Sequence, residues 1–415
     1  MGGKILILGG GFGGIRTALN LERFLGGHVE ITLIDQNSYH LFVPALYEVA
    51  SAYGSNHDPF AMALRKSIAI PFSQIFEGKK INFVQASVRH IDLRGQIVTT
   101  ASDHAFSYDY LVLALGSQTA DFGIPGVYEY ACQFKTIEDG LMVNQKIKTL
   151  FHQAASAGHT LPLKVFICGA GFTGIELAGE LALLARKISR HLKLPSRALH
   201  IYMFEAASTI LPLISDRERA MIRNRLTRLG VIVMENATIE SVGDGEVKLK
   251  NGQMMKGDLV IWTAGIQANK LLQSVEGLEL TPRGKIITGE HLHLSNYKNM
   301  FAVGDNIEFI DHKTQKPIPA LAYLAVDHGN IVAQNIQRSI NGNELKIHKP
   351  FYDLWIAPVG GTWAVAHLWW GICVSGFLGW VVRELSDLRY FLSILPFGKA
   401  LKLFFYDLRI FSKNN

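Results

Sequence analysis

Cysteine is almost missing. The three in this chain of 415 residues, Cys132, Cys168 and Cys373, stand far apart, and no spacing puts two thiols on one metal or in one redox pair. That excludes a disulfide scaffold, suits a reducing compartment, and leaves no metal expected. Charge is thin as well: 18% of residues are Asp, Glu, Lys or Arg, with a net +6. No basic repeat interleaved with aromatics is present, which argues against nucleic acid as a partner. No cleavable apolar region precedes the first core-type strand at Lys4, so no signal peptide is expected. Long hydrophobic runs are limited to one uncharged stretch, Trp363–Val382. Its length would span a bilayer. Gly371, Gly376 and Gly379 interrupt it, however, so a buried hairpin over Val359–Trp369 and a helix from Phe377 are expected instead.

What the chain does have is glycine, placed twice in the same pattern. Lys4–Leu8 runs into Gly9-Gly10-Gly11-Phe12-Gly13-Gly14, and Lys164–Cys168 runs into Gly169-Ala170-Gly171-Phe172-Thr173-Gly174. Both read G-x-G-x-x-G between an apolar strand and an Ala/Leu-rich helix. One copy is a weak signal; two in context predict two dinucleotide sites. The first glycine makes the tight turn, the second admits the pyrophosphate, and the third lets helix and strand pack closely. The helix N-terminus then offers free N–H groups to phosphate.

An acid is expected at the end of the next strand, to bind ribose hydroxyls. Asp35 ends the segment 29–34, and Glu205 ends Leu199–Phe204. Glu205 would repel a 2′-phosphate, so the second site is expected to prefer NAD over NADP. Further along, Tyr108–Ser117 is a buried strand ending in a turn at Gly116, and Gly257–Gly265 echoes it with Ala264-Gly265. Short strands around Val88–Ile91 lie between, and a polar stretch, Ser51–Pro59, is expected to be exposed. A third strand, Met300–Val303, ends in Gly304-Asp305 and returns the chain to the first domain.

In combined order these pieces resemble the two-dinucleotide flavoprotein disulfide reductase superfamily, and within it the type II NADH dehydrogenases. The local matches are Tyr39-His40-Leu41-Phe42-x-Pro44-x-Leu46-Tyr47-x-Val49-Ala50, Gly174–Leu181, Glu205-Ala206 with Ile210-Leu211-Pro212, Trp262-x-Ala264-Gly265-Ile266, and Phe301–Asp305. The resemblance covers residues 4–340. It implies an α/β fold of two Rossmann-like three-layer domains plus a membrane-associated C-terminal segment. The implied boundaries are 1–120 and 269–345 for FAD, 121–268 for NAD(H), and 346–415 for the anchor. Non-covalent FAD would lie on Gly9, Gly11, Gly13, Gly14, Asp35, Val88, Gly116, Gly304, Asp305 and Ala322. NADH would lie on Gly169, Gly171, Gly174, Glu176, Glu205, Ala264 and Gly265.

The implied reaction is non-pumping transfer of electrons from NADH to a membrane quinone. Open alternatives are a reductase of a soluble electron-transfer protein and a flavin-binding sensor. No paired cysteines lie near residues 39–50, which separates the chain from disulfide reductases, and the intact second fingerprint separates it from sulfide:quinone oxidoreductases. Glu176, on the first turn after the second loop, is expected to order the nicotinamide. Where the family carries glutamines near the quinone, this chain has Tyr323 and Asp327. Tyr323 is the expected quinone contact, with Tyr47, Glu48, Asp327 and His328 as further candidates.

Quinones are lipid-soluble, so a membrane contact is required. Phe397, Ala400, Leu401, Phe404, Leu408 and Phe411 recur at helical spacing, with Lys399, Lys402, Tyr406, Arg409 and Lys413 opposite. A basic, aromatic amphipathic helix suits a peripheral anchor on anionic lipid, here at the cytoplasmic face. A homodimer is also compatible with the chain.

Overall fold

In a computed structural model, residues 3–54, 58–156 and 162–411 are described. Two parallel sheets organise them. The first runs His293–Leu294, Tyr297–Ala302, Tyr110–Leu113, Lys4–Leu8, Glu30–Asp35, Asn82–Gln85, with an antiparallel pairing only at the His293 edge. The second runs Cys132–Gln133, Leu259–Trp262, Leu163–Cys168, Leu199–Phe204, Val231–Met234. Each glycine-loop strand lies inside its sheet. Ile5 faces Ile31 and Tyr110 in register, and Val165 faces Ile201 and Leu259. Strands covered on both faces must be apolar throughout, and Ile5–Leu8 and Val165–Cys168 are buried accordingly.

The repeat extends to details. Asp109 accepts the Lys4 N–H at 2.6 Å and Asp258 accepts the Lys164 N–H at 2.7 Å, fixing the start of each loop strand. Each half adds a three-stranded antiparallel sheet, Val88–Asp92 with Ile97–Thr100 and Ala105–Ser107, and Ile239–Gly243 with Glu246–Leu249 and Met254–Lys256. The chain passes between the halves on two strands that pair with each other, Ser117–Thr119 and Ile266–Ala268.

The C-terminal part is built as a hairpin sheet and two helices. Trp355–Pro358, Ala364–His367 and Cys373–Gly376 pair antiparallel, followed by helices Phe377–Ile394 and Phe397–Phe411. The uncharged run is thus divided between two strands and the start of a helix. Among the described residues, no helix is long and apolar enough to cross a membrane. This unit touches both halves. Arg225 donates to the Val359 and Gly360 carbonyls at 3.0 and 2.8 Å, and Glu180 accepts the Gly361 N–H at 2.9 Å. Gly179 permits that approach, because a Cβ there would sit 2.8 Å from Gly360 N. On the other half, the Tyr390 hydroxyl reaches His40 at 2.8 Å and Arg16 donates to Ser393 at 2.5 Å.

Two sequence expectations change. Ser51 and Ala52, read as exposed, are buried, because Asn144 on the helix Ile137–Ser156 donates to the Ala50 and Ala52 carbonyls; residues 55–57 of that stretch lie outside the described residues. The helix Phe397–Phe411 docks on the protein through Ala400, Phe404 and Asp407, so part of its apolar face is spent on the core. Phe397 and Phe405 remain 69% and 62% exposed, beside exposed Lys402 and Arg409.

Candidate functional site

Both glycine loops adopt one geometry. Gly9 and Gly169 have φ of +108° and +113°, in the region that side chains disfavour, and their N–H groups bond the Ile34 and Phe204 carbonyls at 2.8 and 2.9 Å. Gly14 and Gly174 pack against the Gly9 and Gly169 carbonyls so closely that a Cβ would collide. Gly11 and Gly171 are different: a Cβ on either would meet nothing within 4 Å. Both are helix N-caps without a side-chain cap, so the N–H groups of each first turn are left for an anion. The open space and uncapped helix ends fit a pyrophosphate at each loop.

The acids complete the fit. Asp35 accepts the Gly10 N–H at 2.6 Å and the Asn37 N–H at 2.8 Å. Glu205 accepts the Ala170 N–H at 3.1 Å and the Ala207 N–H at 2.9 Å. Each carboxylate is held beside its loop and keeps lone pairs for ribose hydroxyls. Desolvation raises the Asp35 pKa, and the two N–H bonds oppose that rise. The Ala86 N–H bonds the Asp35 carbonyl at 2.9 Å, which brings half-buried Val88 to the same end of the first site. At the second, Gly265 lies under the Phe122 ring, and Ala264 backs onto Gly169.

Gly304 and Asp305 enter from the third strand. The Asp305 carboxylate accepts from the Ser117 hydroxyl at 2.7 Å, and Lys135 donates to that hydroxyl at 2.9 Å. Asn306, buried, accepts the Gly116 N–H and donates to the Leu113 carbonyl. Ser117, Lys135 and Asn306 were not picked out from sequence; only Asn306, next to the Gly-Asp pair, carried a signal. The helix Ala322–Ile340 begins here with an uncapped N-terminus at Leu321 and half-buried Ala322. It crosses the first loop helix where Gly13 and Gly329 meet.

His40 was also unassigned. Burial lowers its pKa to about 4, so the ring is neutral. Its Nδ1–H donates to the Gly10 carbonyl at 3.1 Å, and Nε2 accepts from Tyr390. The C-terminal helix is thereby bonded to the first glycine loop.

Glu176 lies half-buried on the first turn after the second loop. Desolvation pushes its pKa well above the carboxylate range; Arg383 opposes this, and Glu48 adds to it. The structure therefore brings Glu176 together with Tyr47 and Glu48 of the helix Leu46–Ser51. Tyr323 lies at the start of the helix Ala322–Ile340, half-buried. Its hydroxyl donates to the Phe351 carbonyl at 2.6 Å. Asp327 accepts from His348 at 2.9 Å, and His328 accepts the Gly304 N–H on Nδ1. Burial holds His328 neutral, at about 3. Cys132 and Cys168 are buried, with thiol pKa values raised by desolvation.

Known proteins match this arrangement. The family model described as pyridine nucleotide-disulphide oxidoreductase matches residues 3–329. A type II NADH:quinone oxidoreductase of Staphylococcus haemolyticus is 31% identical, over 82% of this chain and 83% of its own. The Staphylococcus aureus protein of that name is 30% identical over the same shares. Among solved structures, NDH2 of Plasmodium falciparum in complex with NADH superposes with a TM-score of 0.84, at 18% identity, over 99% of this chain and 98% of that one. The sulfide:quinone oxidoreductase of Aquifex aeolicus reaches 0.78 at 20% identity, over 94% and 90%. The chain belongs to the pyridine nucleotide-disulphide oxidoreductase family, among its type II NADH:quinone oxidoreductases.

Proposed function

We propose that this protein oxidises NADH and passes the electrons through FAD to a quinone at a membrane surface. The observation that carries it is the pair of superposable glycine loops, each with an uncapped helix end, open space at its middle glycine and a carboxylate beside it. FAD supplies a two-electron relay between nicotinamide and acceptor. On this reading Gly9, Gly11, Gly13, Gly14, Asp35, Val88, Gly116, Gly304, Asp305 and Ala322 hold FAD, within residues 1–120 and 269–345. Gly169, Gly171, Gly174, Glu205, Ala264 and Gly265 hold NADH, within 121–268. Glu176 orders the nicotinamide from the first turn of its helix.

Membrane contact falls to residues 346–415. Their outward surface carries Trp370, 93% exposed, with Phe377, Leu378, Phe397 and Phe405. Exposed apolar side chains concentrated in one unit mark an interaction surface, and with exposed Lys402 on the helix of Phe397 and Phe405 this unit suits the interface of an anionic leaflet, here on the cytoplasmic side that holds NADH. A homodimer through the same unit is compatible with this reading.

The test is NADH oxidation by the purified, FAD-loaded protein with a panel of quinones, with and without liposomes. Turnover with quinones, raised by lipid for long-chain ones, is expected. Turnover only with a soluble electron-transfer protein would overturn the quinone reading. A single reduction without turnover by any acceptor would make the protein a sensor.

A further inference from the structure

Two buried histidines stand behind the Gly304-Asp305 turn, and the reading above leaves them without a task. His328, 3% exposed, lies on the second turn of the helix Ala322–Ile340. The Gly304 N–H donates to its Nδ1 at 3.2 Å. His348, 1% exposed, lies on the segment leading to the C-terminal unit. Its backbone N–H donates to the Glu290 carbonyl at 2.7 Å, and its Nε2 is 2.9 Å from Asp327 Oδ2. The Asp327 side chain is 41% exposed, so this end of the array meets solvent. The two rings meet edge to face with centroids 4.8 Å apart, and Phe309 packs on His348 at 4.9 Å.

These bonds fix where the hydrogens are. A ring nitrogen that accepts a hydrogen bond carries no hydrogen, and burial keeps His328 neutral, so its hydrogen is on Nε2. An ionised carboxylate only accepts, so His348 carries a hydrogen on Nε2, and Nδ1 of the neutral ring is an acceptor. His328 Nε2 and His348 Nδ1 are left over. Both are buried, and neither has a hydrogen-bond partner among the described residues. One is a donor and the other an acceptor, on rings in contact. Sealing both from solvent unpaired is costly, and one water between them satisfies both.

We propose that Asp327, His348 and His328 form a relay that positions the Gly304-Asp305 turn, with a water held between the two rings. The proposal rests on the reading of this turn as part of the FAD site. All three are positioning residues. Asp327 sets the tautomer of His348, His348 sets that of His328 through the water, and the free Nδ1 lone pair of His328 holds the Gly304 N–H. Gly304 has φ of +82°, and the next residue is Asp305, whose carboxylate Ser117 aligns. With the hydrogen on His328 Nδ1 instead, two N–H groups would face each other and the turn would be displaced.

The experiment uses the FAD-loaded protein with nitrogen-15 in its histidines, and the variants His328→Asn, His328→Gln and His348→Phe. Nitrogen NMR of the wild type should show both rings neutral with hydrogen on Nε2. This readout needs no variant, so it stands if a variant fails to fold. The Asn oxygen takes the place of Nδ1, whereas the Gln amide reaches the place of Nε2. On dilution, His328→Asn should therefore release FAD within about twofold of the wild-type rate, and His328→Gln about 10-fold faster. His348→Phe keeps a ring against Phe309 and should shift the His328 nitrogen signals. Hydrogen on Nδ1 of His328 in the wild type overturns the relay. So do unchanged His328 signals in His348→Phe, or equal FAD loss from Asn and Gln, which would leave His328 a packing residue. If the unsubstituted protein binds no FAD, the reading of the turn has failed, and the positioning role fails with it whatever the tautomers.

Discussion

The two glycine loops share a backbone and differ in what covers them. They diverge in sequence at two positions, Gly10 against Ala170 and Gly13 against Thr173. A Cβ at Gly10 would enter the Phe72 ring, and one at Gly13 would sit 2.8 Å from a Val303 methyl and 3.1 Å from the Ala325 carbonyl. Phe12 packs between His40 and Tyr390, at 4.8 and 4.9 Å. At the second loop Ala170 has room for its methyl and Thr173 is exposed. Phe172 is partly buried against the core and meets the C-terminal sheet at Trp355. The extra glycines of the first loop therefore answer to other parts of the chain, not to phosphate. A loop roofed by five later segments suits a cofactor that stays, and an open loop suits a substrate that leaves in every turnover.

The strongest way to break this contrast is to exchange the residues. Gly13→Thr should force the crossing helix away, costing about 1–3 kcal/mol of packing, and the purified protein should carry less than roughly a tenth of the wild-type flavin absorbance. Thr173→Gly should leave flavin content unchanged; equal losses from the two would show that the loops are equivalent. Next in size is Glu205→Arg. Replacing the acid by a cation should shift the ratio of NADPH to NADH rates by roughly tenfold, about 1.4 kcal/mol, without loss of FAD. An unchanged ratio would take the ribose role from Glu205. Glu176→Gln should slow flavin bleaching by NADH a fewfold while FAD stays bound; a change in melting temperature alone would leave it a helix-end carboxylate.

The smallest effect concerns the cover itself. Desolvation raises the Asp387 pKa to about 7, and desolvation likewise raises those of Glu48 and Asp407. The folded protein therefore binds more protons than the unfolded chain between the ordinary carboxylate pKa, near 4, and about 7. That contribution is complete below this window and is lost as pH rises through it, by up to about 1.4 kcal/mol per pH unit for each proton. Melting temperature should fall less steeply with pH in Asp407→Asn than in the wild type. Parallel curves would mean that Asp407 is ionised in the fold.

The glycine loops and their acids were legible because all their geometry is local: turn, strand end and helix start lie within a few tens of residues. The strand echo Asp109/Asp258 was legible as repetition. Tyr323 shows where this stops. Its position on the helix could be read, but the direction of its hydroxyl depends on Phe351, 28 residues away. The acids around Arg383 draw on four segments, from Glu48 to Asp407, and nothing near any one of them announces the others. The tail helix shows the same limit at Asp407. Its charge gives no hint of burial, yet the structure places it in the interior, as it does Ala400 on the same helix.

The bond from Tyr390 through His40 to the Gly10 carbonyl also bears on the order of assembly. Both nucleotide-binding halves leave the ribosome before residues 355–394, and halves with their own cores fold as they emerge. Until Tyr390 arrives, the roof over the first loop is incomplete, and the two halves are joined by their paired crossing strands and by the Asn144 bonds to the Ala50 and Ala52 carbonyls. Translation thus leaves an interval in which the first glycine loop is open on the side that the helix Phe377–Ile394 later covers.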